Sequence, residues 1–257
     1  MKKIVLSLDF NPAFIFKLIG VLTGITILLS VISLFLNYSS IQHDLFGLMP
    51  KFDMDKENTI PTYVSSFNLL VAAFTLAIIA CVVKRRDGAH SKNWGILSGL
   101  FFLLSLDESA SLHEGVASRF NIMMGGFTGT THYAWAILGS GFILAFLIYF
   151  SRFIFALPAA TRNRFIVSGI IFLTGAIGTE AFGGLIYSQS GTDNLAYQAS
   201  VIVEESLEML GIYCFIWSLF RYVGENLVRR KSAPESPALR LLPLEEENYS
   251  QLVQESA

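Results

Sequence analysis

Hydrophobic residues along this chain gather in six long apolar runs, which polar residues, glycines and prolines separate. Each run comes close to the roughly twenty residues that a helix needs to cross the hydrocarbon core of a bilayer. The pattern therefore predicts an all-α, polytopic integral membrane bundle of six transmembrane helices. The predicted spans are Ala13–Asn37, Tyr63–Val83, Trp94–Ala117, His132–Phe155, Phe165–Tyr187 and Ala196–Val223.

Lysine and arginine concentrate on one side of these six spans. The positive-inside rule places connections rich in Lys and Arg in the cytoplasm, and the sequence alternates accordingly. We therefore predict that the N-terminus and the C-terminus are both cytoplasmic. The basic residues that set this orientation are Lys2, Lys3, Lys84, Arg85, Arg86, Lys92, Arg152, Arg162, Arg164, Arg229, Arg230 and Lys231.

Two parts of the chain differ in composition. Residues 1–223 form the predicted six-helix transmembrane domain, which includes a long loop at 38–62 on the outer side. Residues 224–257 are rich in Ser, Pro and Glu, and include the run Glu245–Glu247. Such a composition predicts a polar, weakly structured cytoplasmic tail.

Overall composition agrees with a membrane location. Of the 257 residues, 53% are hydrophobic and 15% charged, whereas soluble domains average about 25% charged residues. The net charge is −2 and no basic stripe is present, so nucleic acid is not an expected partner. The lipid bilayer is the expected partner, and a bacterial inner membrane is the default location.

Seven carboxylates nevertheless lie inside the predicted spans. Each ionised one near the membrane centre costs roughly 2.5–3.5 kcal/mol on the insertion scale. No Lys or Arg occurs in the same outer half-spans to neutralise them, and Arg119 is the nearest basic residue. Protonation, water or bound cations must therefore compensate. The seven are Asp107, Glu108, Glu114, Glu180, Glu204, Glu205 and Glu208.

Helical geometry allows these groups to converge. A straight helix turns about 100° per residue, which places Asp107, Ser111 and Glu114 on one face of the third span. On the sixth span, Glu208 lies between Glu204 and Glu205 in angular projection. The topology puts the acids of the third, fifth and sixth spans in the outer half of the bundle, and the glycines around Glu180 predict close approach between helices.

Carboxylates together with histidines from several helices are the ligand type of carboxylate-bridged metal sites. The sequence therefore predicts a divalent metal, iron, manganese or zinc, bound as one ion or as a dinuclear pair. Such a site would suit a metal-dependent enzyme that acts on a lipid-soluble or membrane substrate. The predicted ligands are Asp107, Glu108, His113, Glu114, Glu180, Glu204, Glu208 and His132.

Two other functions stay open at the sequence level. Acids at a shared depth are also expected in a proton or cation transporter, although the inner half-spans lack matching polar groups. Alternatively, the chain is an accessory or structural subunit of a larger membrane complex, with a membrane-protein partner or a second copy of itself. The sequence contains no motif that decides between these alternatives.

Overall fold

A computed structural model describes residues 12–39, 47–86, 88–123 and 131–228. These residues are helical, with no β-strand among them. The predicted tail beyond residue 228 lies outside the described residues. The α-helices are α1 (Pro12–Tyr38), α2 (Ile60–Arg85), α3 (Ser91–Ala110), α4 (Leu112–Met123), α5 (Thr131–Ala156), α6 (Ala159–Leu173), α7 (Glu180–Ser190) and α8 (Leu195–Tyr222).

Three short helical segments of the described chain are not α-helical. A 3₁₀ turn covers Met49–Phe52, and a π-helical segment covers Thr174–Thr179 between α6 and α7. A second π-helical segment, Val223–Val228, belongs to a separate compact unit that begins at Val223. Everything described below concerns the first unit, which ends at Tyr222.

Four helical stretches are long and apolar enough to cross a membrane: Ala13–Tyr38, Ile60–Arg85, Gly139–Ala156 and Ala159–Ser190. The last of these combines α6, the π-helical segment and α7. The other two long helices, α3 and α8, carry the acidic residues, which lower their mean hydropathy. Four such helices in one chain indicate a membrane protein.

Burial on α1 has the reverse of the arrangement in a soluble protein. The exposed surface carries large apolar side chains such as Phe14, 64% exposed, and Phe35, 71% exposed. The buried stripe is mostly hydroxylic, and Thr23 and Ser30 are 2% and 1% exposed. Apolar residues that face outward in this way suit contact with lipid.

The third predicted span is not one straight helix. Ser111 adopts a left-handed conformation, with φ 49° and ψ 40°, between α3 and α4. This conformation is uncommon for a residue other than glycine and costs on the order of 1–3 kcal/mol. The prediction of a continuous helix over Trp94–Ala117 was therefore wrong at this residue.

Aromatic contacts join α3, α6 and α8 at one end of the bundle. The ring centroids of Trp94 and Tyr222 lie 4.8 Å apart, and those of Phe101 and Phe215 also lie 4.8 Å apart. Phe165 of α6 packs on Phe215 at 4.8 Å. These contacts make α3 and α8 antiparallel neighbours, and we call this part of the bundle the aromatic half.

Serine hydroxyls join α2 and α3. The Ser66 hydroxyl donates to the Ser105 carbonyl at 2.7 Å, and the Ser105 hydroxyl donates to the Ser66 carbonyl at 2.9 Å. The Ser98 hydroxyl donates to the Ala73 carbonyl at 2.9 Å. Hydroxyl groups that bond across helices are a common means of association within membranes.

Glycines bring α6, the π-helical segment and α7 against α8. A Cβ atom added at Gly211 would lie 2.7 Å from the backbone nitrogen of Phe172. One at Gly183 would lie 3.0 Å from the hydroxyl oxygen of Ser200, and one at Gly175 would lie 2.8 Å from the carbonyl oxygen of Glu204. The close approach that the glycines around Glu180 predicted is confirmed.

Candidate carboxylate site

The aromatic pairs of α3 and α8 fix the register of the acidic residues. Trp94 and Phe101 are seven residues apart, as are Tyr222 and Phe215. Seven residues are two helical turns, so each helix presents nearly the same face at the next step. That step places Glu108 of α3 at the level of Glu208 of α8. We call the part of the bundle around these two residues the acidic half.

Electrostatics agree with this register. Glu205 on α8 lies within Coulombic range of Glu108 on α3, of its neighbour Glu204, and of Glu57 in the loop before α2. Glu204 and Glu208 are both half-buried, as are Asp107 and Glu108. Carboxylates from two helices and a loop therefore share one region, where like charges raise one another's energy.

The π-helical segment lies against the same carboxylates. A Cβ atom at Gly175 would lie 3.0 Å from Cγ of Glu208, in addition to its contact with the Glu204 carbonyl oxygen. Inside the segment, the Thr179 hydroxyl donates to the Gly175 carbonyl at 2.7 Å. Single π-helical turns of this kind frequently occur at functional sites. Glu180 is the first residue of α7, directly after the segment.

The left-handed residue Ser111 changes the predicted face of the third span. Asp107 and Glu108 belong to α3, whereas His113 and Glu114 belong to α4. A projection along one straight helix therefore does not relate Asp107 to Glu114. The predicted shared face of Asp107, Ser111 and Glu114 was wrong for this physical reason.

Half of the predicted ligands have side chains outside the described structure. Of the eight, Asp107, Glu108, Glu204 and Glu208 are described in full. The side chains of the other four, His113, Glu114, Glu180 and His132, lie outside the described structure. Among the described side chains, no group of three or more His, Cys, Asp or Glu is placed to hold a metal ion.

Sequence reasoning missed the part that the loop before α2 plays. Asp55 accepts hydrogen bonds from the Tyr197 hydroxyl at 3.3 Å and from the Gln198 side-chain amide at 2.9 Å. The loop is thus bonded to the first turn of α8, and it brings Glu57 near Glu205. The alternation Asp53-Met-Asp55-Lys-Glu57 was the available signal, but it gave no partner for the three acids.

Outward-facing apolar side chains and four helices long enough to cross a bilayer define the class as a helical membrane protein. The chain belongs to the family described as a domain of unknown function, DUF8692, whose sequence model matches residues 19–223. The matched region contains every residue of the carboxylate site. No curated protein and no solved structure matches the chain.

Proposed function

We propose that this protein binds a divalent metal ion in the acidic half of the bundle, through carboxylates of α3 and α8. The observations that carry the proposal are the ring contacts Trp94–Tyr222 and Phe101–Phe215, whose register we extend by two turns to Glu108 and Glu208, and the Coulombic interaction of Glu205 with Glu108. Carboxylates that share a desolvated region raise one another's energy, and a bound divalent cation lowers it. A divalent cation would also offset the negative charges of the nearby Glu204 and Glu205.

The two backbone irregularities support a binding role. Ser111 lies three residues after Glu108, at the end of α3, and the π-helical segment contacts Glu204 and Glu208. A left-handed serine costs stability and persists where the surrounding structure requires it. Departures from α-helix at membrane depth are tolerated where they line a polar interior. Both irregularities border the region of the carboxylates.

Within the same proposal, all six predicted spans cross the membrane, both termini are cytoplasmic, and the acidic half opens to the outer side. Oxygen ligands together with the predicted ligands His113 and His132 suit iron, manganese or zinc. Such a metal would polarise a substrate or activate water. An enzyme acting on a lipid-soluble substrate is therefore the reaction class to screen once metal is found.

Metal analysis of the purified protein tests the proposal. We expect one or two equivalents of iron, manganese or zinc in protein that is purified in detergent without chelators. Glu208→Gln should lose this metal, whereas Asp193→Asn, which changes an exposed acid in the loop before α8, should keep it. A wild-type protein that stays metal-free after incubation with each of the three ions would sink the proposal.

Proton or cation transport is the second candidate. It is favoured by the buried hydroxyl groups of α1 and by the buried amide of Asn68 on α2. The aromatic half opposes it, because the rings of Trp94, Phe165 and Phe215 pack against one another there. Proteoliposomes with a pH-sensitive dye inside would decide: uptake of protons that Glu205→Gln abolishes would favour transport over a fixed metal.

A further inference from the structure

The buried stripe of α1 faces a seam between α1, α2 and α8. Its hydroxylic members are Thr23, Thr26, Ser30 and Ser33, which are 1–3% exposed. They recur at intervals of three and four residues, so they share one face of the helix. A helix that spans a membrane and buries a row of hydroxyl groups brings hydrogen-bonding capacity into the protein interior.

Side chains of α2 and α8 complete the seam. The Asn68 amide nitrogen donates to the Thr23 hydroxyl at 3.0 Å, and Asn68 is 1% exposed. On α8, Gln198 and Ile202 line a pocket together with Ser30. Ser206 follows one turn after Ile202 on the same face of α8. Three helices thus contribute polar groups to one buried seam.

Three polar atoms of this seam have no hydrogen-bond partner among the described residues. They are the Ser30 hydroxyl, the Asn68 side-chain carbonyl oxygen and the Ser206 hydroxyl. An unsatisfied buried polar group costs about 1–3 kcal/mol. Buried polar groups in folded proteins are therefore paired with protein or with bound water. Three such atoms in one seam indicate that bound water is their hydrogen-bond partner.

The seam has an opening beside the loop before α2. Its pocket is lined by Ser30, Ser33, Asn37, Asp55 and Gln198, among others. Asn37 and Asp55 are exposed, whereas Ser30 is buried at the inner limit of the pocket. Water that enters past Asn37 and Asp55 therefore meets the first of the three unpaired atoms at Ser30.

We propose that the α1–α2–α8 seam holds a file of bound water molecules that leads from this pocket to Asn68. The waters would donate hydrogen bonds to the hydroxyls of Thr26, Ser30 and Ser206 or accept hydrogen bonds from them. They would donate hydrogen bonds to the Asn68 side-chain carbonyl oxygen. The file would make the acidic half accessible to water and protons from the loop side. That this route serves the carboxylates rests on the proposed function, whereas the water file itself does not.

Water-edited solid-state NMR of the full chain in lipid bilayers tests the file. We expect rapid magnetisation transfer from water to Ser30, Asn68 and Ser206, at rates close to that of the exposed Lys56. Ser218 is the buried control, because it is 1% exposed and its hydroxyl donates to the Cys214 carbonyl at 2.9 Å. Transfer to Ser30 and Asn68 that is as slow as transfer to Ser218 would overturn the proposal.

A variant separates the file from the metal site. Ser30→Val removes the hydroxyl at the entrance of the seam, so transfer to Ser206 and Asn68 should fall several-fold while transfer to Lys56 stays the same. Glu208→Gln should leave transfer to Ser30 and Asn68 intact, whether or not the protein binds metal. Unchanged transfer to Asn68 in Ser30→Val would contradict a file that runs from the pocket to Asn68, and loss of metal alone would leave the file standing.

Discussion

The helices α3 and α8 carry aromatic residues in one part of their length and acidic residues in another. In the aromatic half, Trp94 contacts Tyr222 and Phe101 contacts Phe215, each with ring centroids 4.8 Å apart. Two turns further along, in the acidic half, the same faces carry Glu108 and Glu208. Along these two helices the side chains change from aromatic rings to carboxylates.

The aromatic half stabilises the bundle, whereas the acidic half costs it free energy. Aromatic rings that pack edge-to-face or offset gain dispersion energy, which is the main attraction available between helices inside lipid. Carboxylates in the same environment are expensive and repel one another. Positions that violate the local rules of stability are where function is expected. The comparison therefore predicts opposite effects of substitution in the two halves.

Truncation of Trp94 should have the largest effect on stability. Trp94 is 1% exposed and contacts Phe153, Phe165 and Tyr222. Trp94→Ala leaves a cavity and should lower the free energy of unfolding by about 3 kcal/mol. Unfolding in mixed detergent micelles would measure the loss.

The matched control for Trp94 is Phe102→Ala, since Phe102 lies on the same helix but is 45% exposed to the surroundings. The control should change the free energy of unfolding by less than about 1 kcal/mol, as surface substitutions do. Equal losses in the two variants would contradict the assignment of Trp94 to the packed core.

A methyl group at Gly211 should have the next largest effect. Its Cβ would lie 2.7–2.8 Å from backbone and Cβ atoms of Phe172, so α6 and α8 must separate. Gly211→Ala should therefore destabilise the protein by about 1–3 kcal/mol, as overpacked positions do. Gly99→Ala in α3 is the control, because no atom lies within 4 Å of its added Cβ, and it should be neutral or stabilising. A Gly211→Ala protein as stable as Gly99→Ala would show that the helices are not in close contact.

Removal of one acid should stabilise the protein, whereas the two substitutions above destabilise it. Glu205 is surrounded by the charges of Glu108, Glu204 and Glu57, so Glu205→Gln relieves repulsion. In chelator-treated protein we expect the free energy of unfolding to rise by about 1 kcal/mol. Asp193→Asn, in an exposed loop, should change it by no more than about 0.5 kcal/mol. A clear loss of stability in Glu205→Gln would mean that this carboxylate is favourably bonded rather than repelled.

Some of this arrangement could be predicted from the sequence. Apolar length alone predicted the first helix at Ala13–Asn37, and α1 covers Pro12–Tyr38. The acids were recognised because charge inside an apolar run is conspicuous. The left-handed Ser111 could not be predicted, since serine carries no signal for that conformation. The π-helical segment contains glycines, but a one-residue insertion in a helical turn leaves no mark on hydropathy.

Tertiary contacts explain the remaining differences. Asp55 bonds to Tyr197 and Gln198 across more than a hundred residues, and no periodicity relates a loop to a distant helix. The seven-residue spacing of Trp94, Phe101 and Glu108 is visible in the sequence. Its meaning depends on Tyr222, Phe215 and Glu208 being antiparallel to it, which only the packing of α3 on α8 reveals.

The smallest expected effect belongs to a charge pair outside the spans. Lys56 lies 2.9 Å from Asp53 and is 63% exposed. A hydrogen bond to Asp53, and then Coulombic attraction to it, raise the pKa of Lys56 above 10.5. A raised pKa in the folded state means that the stabilisation is fully present below pH 10.5 and is lost as the pH rises further. In water such pairs contribute only about 0.3 kcal/mol to the free energy of unfolding.

The free energy of unfolding of the wild type should therefore exceed that of Lys56→Met by this small amount at pH 8. The difference should vanish by about pH 12 and in high salt. A difference that persisted at high pH would assign the effect to the packing of the lysine stem, and an effect as large as that of Glu205→Gln would mean that the loop charges belong energetically to the acidic half.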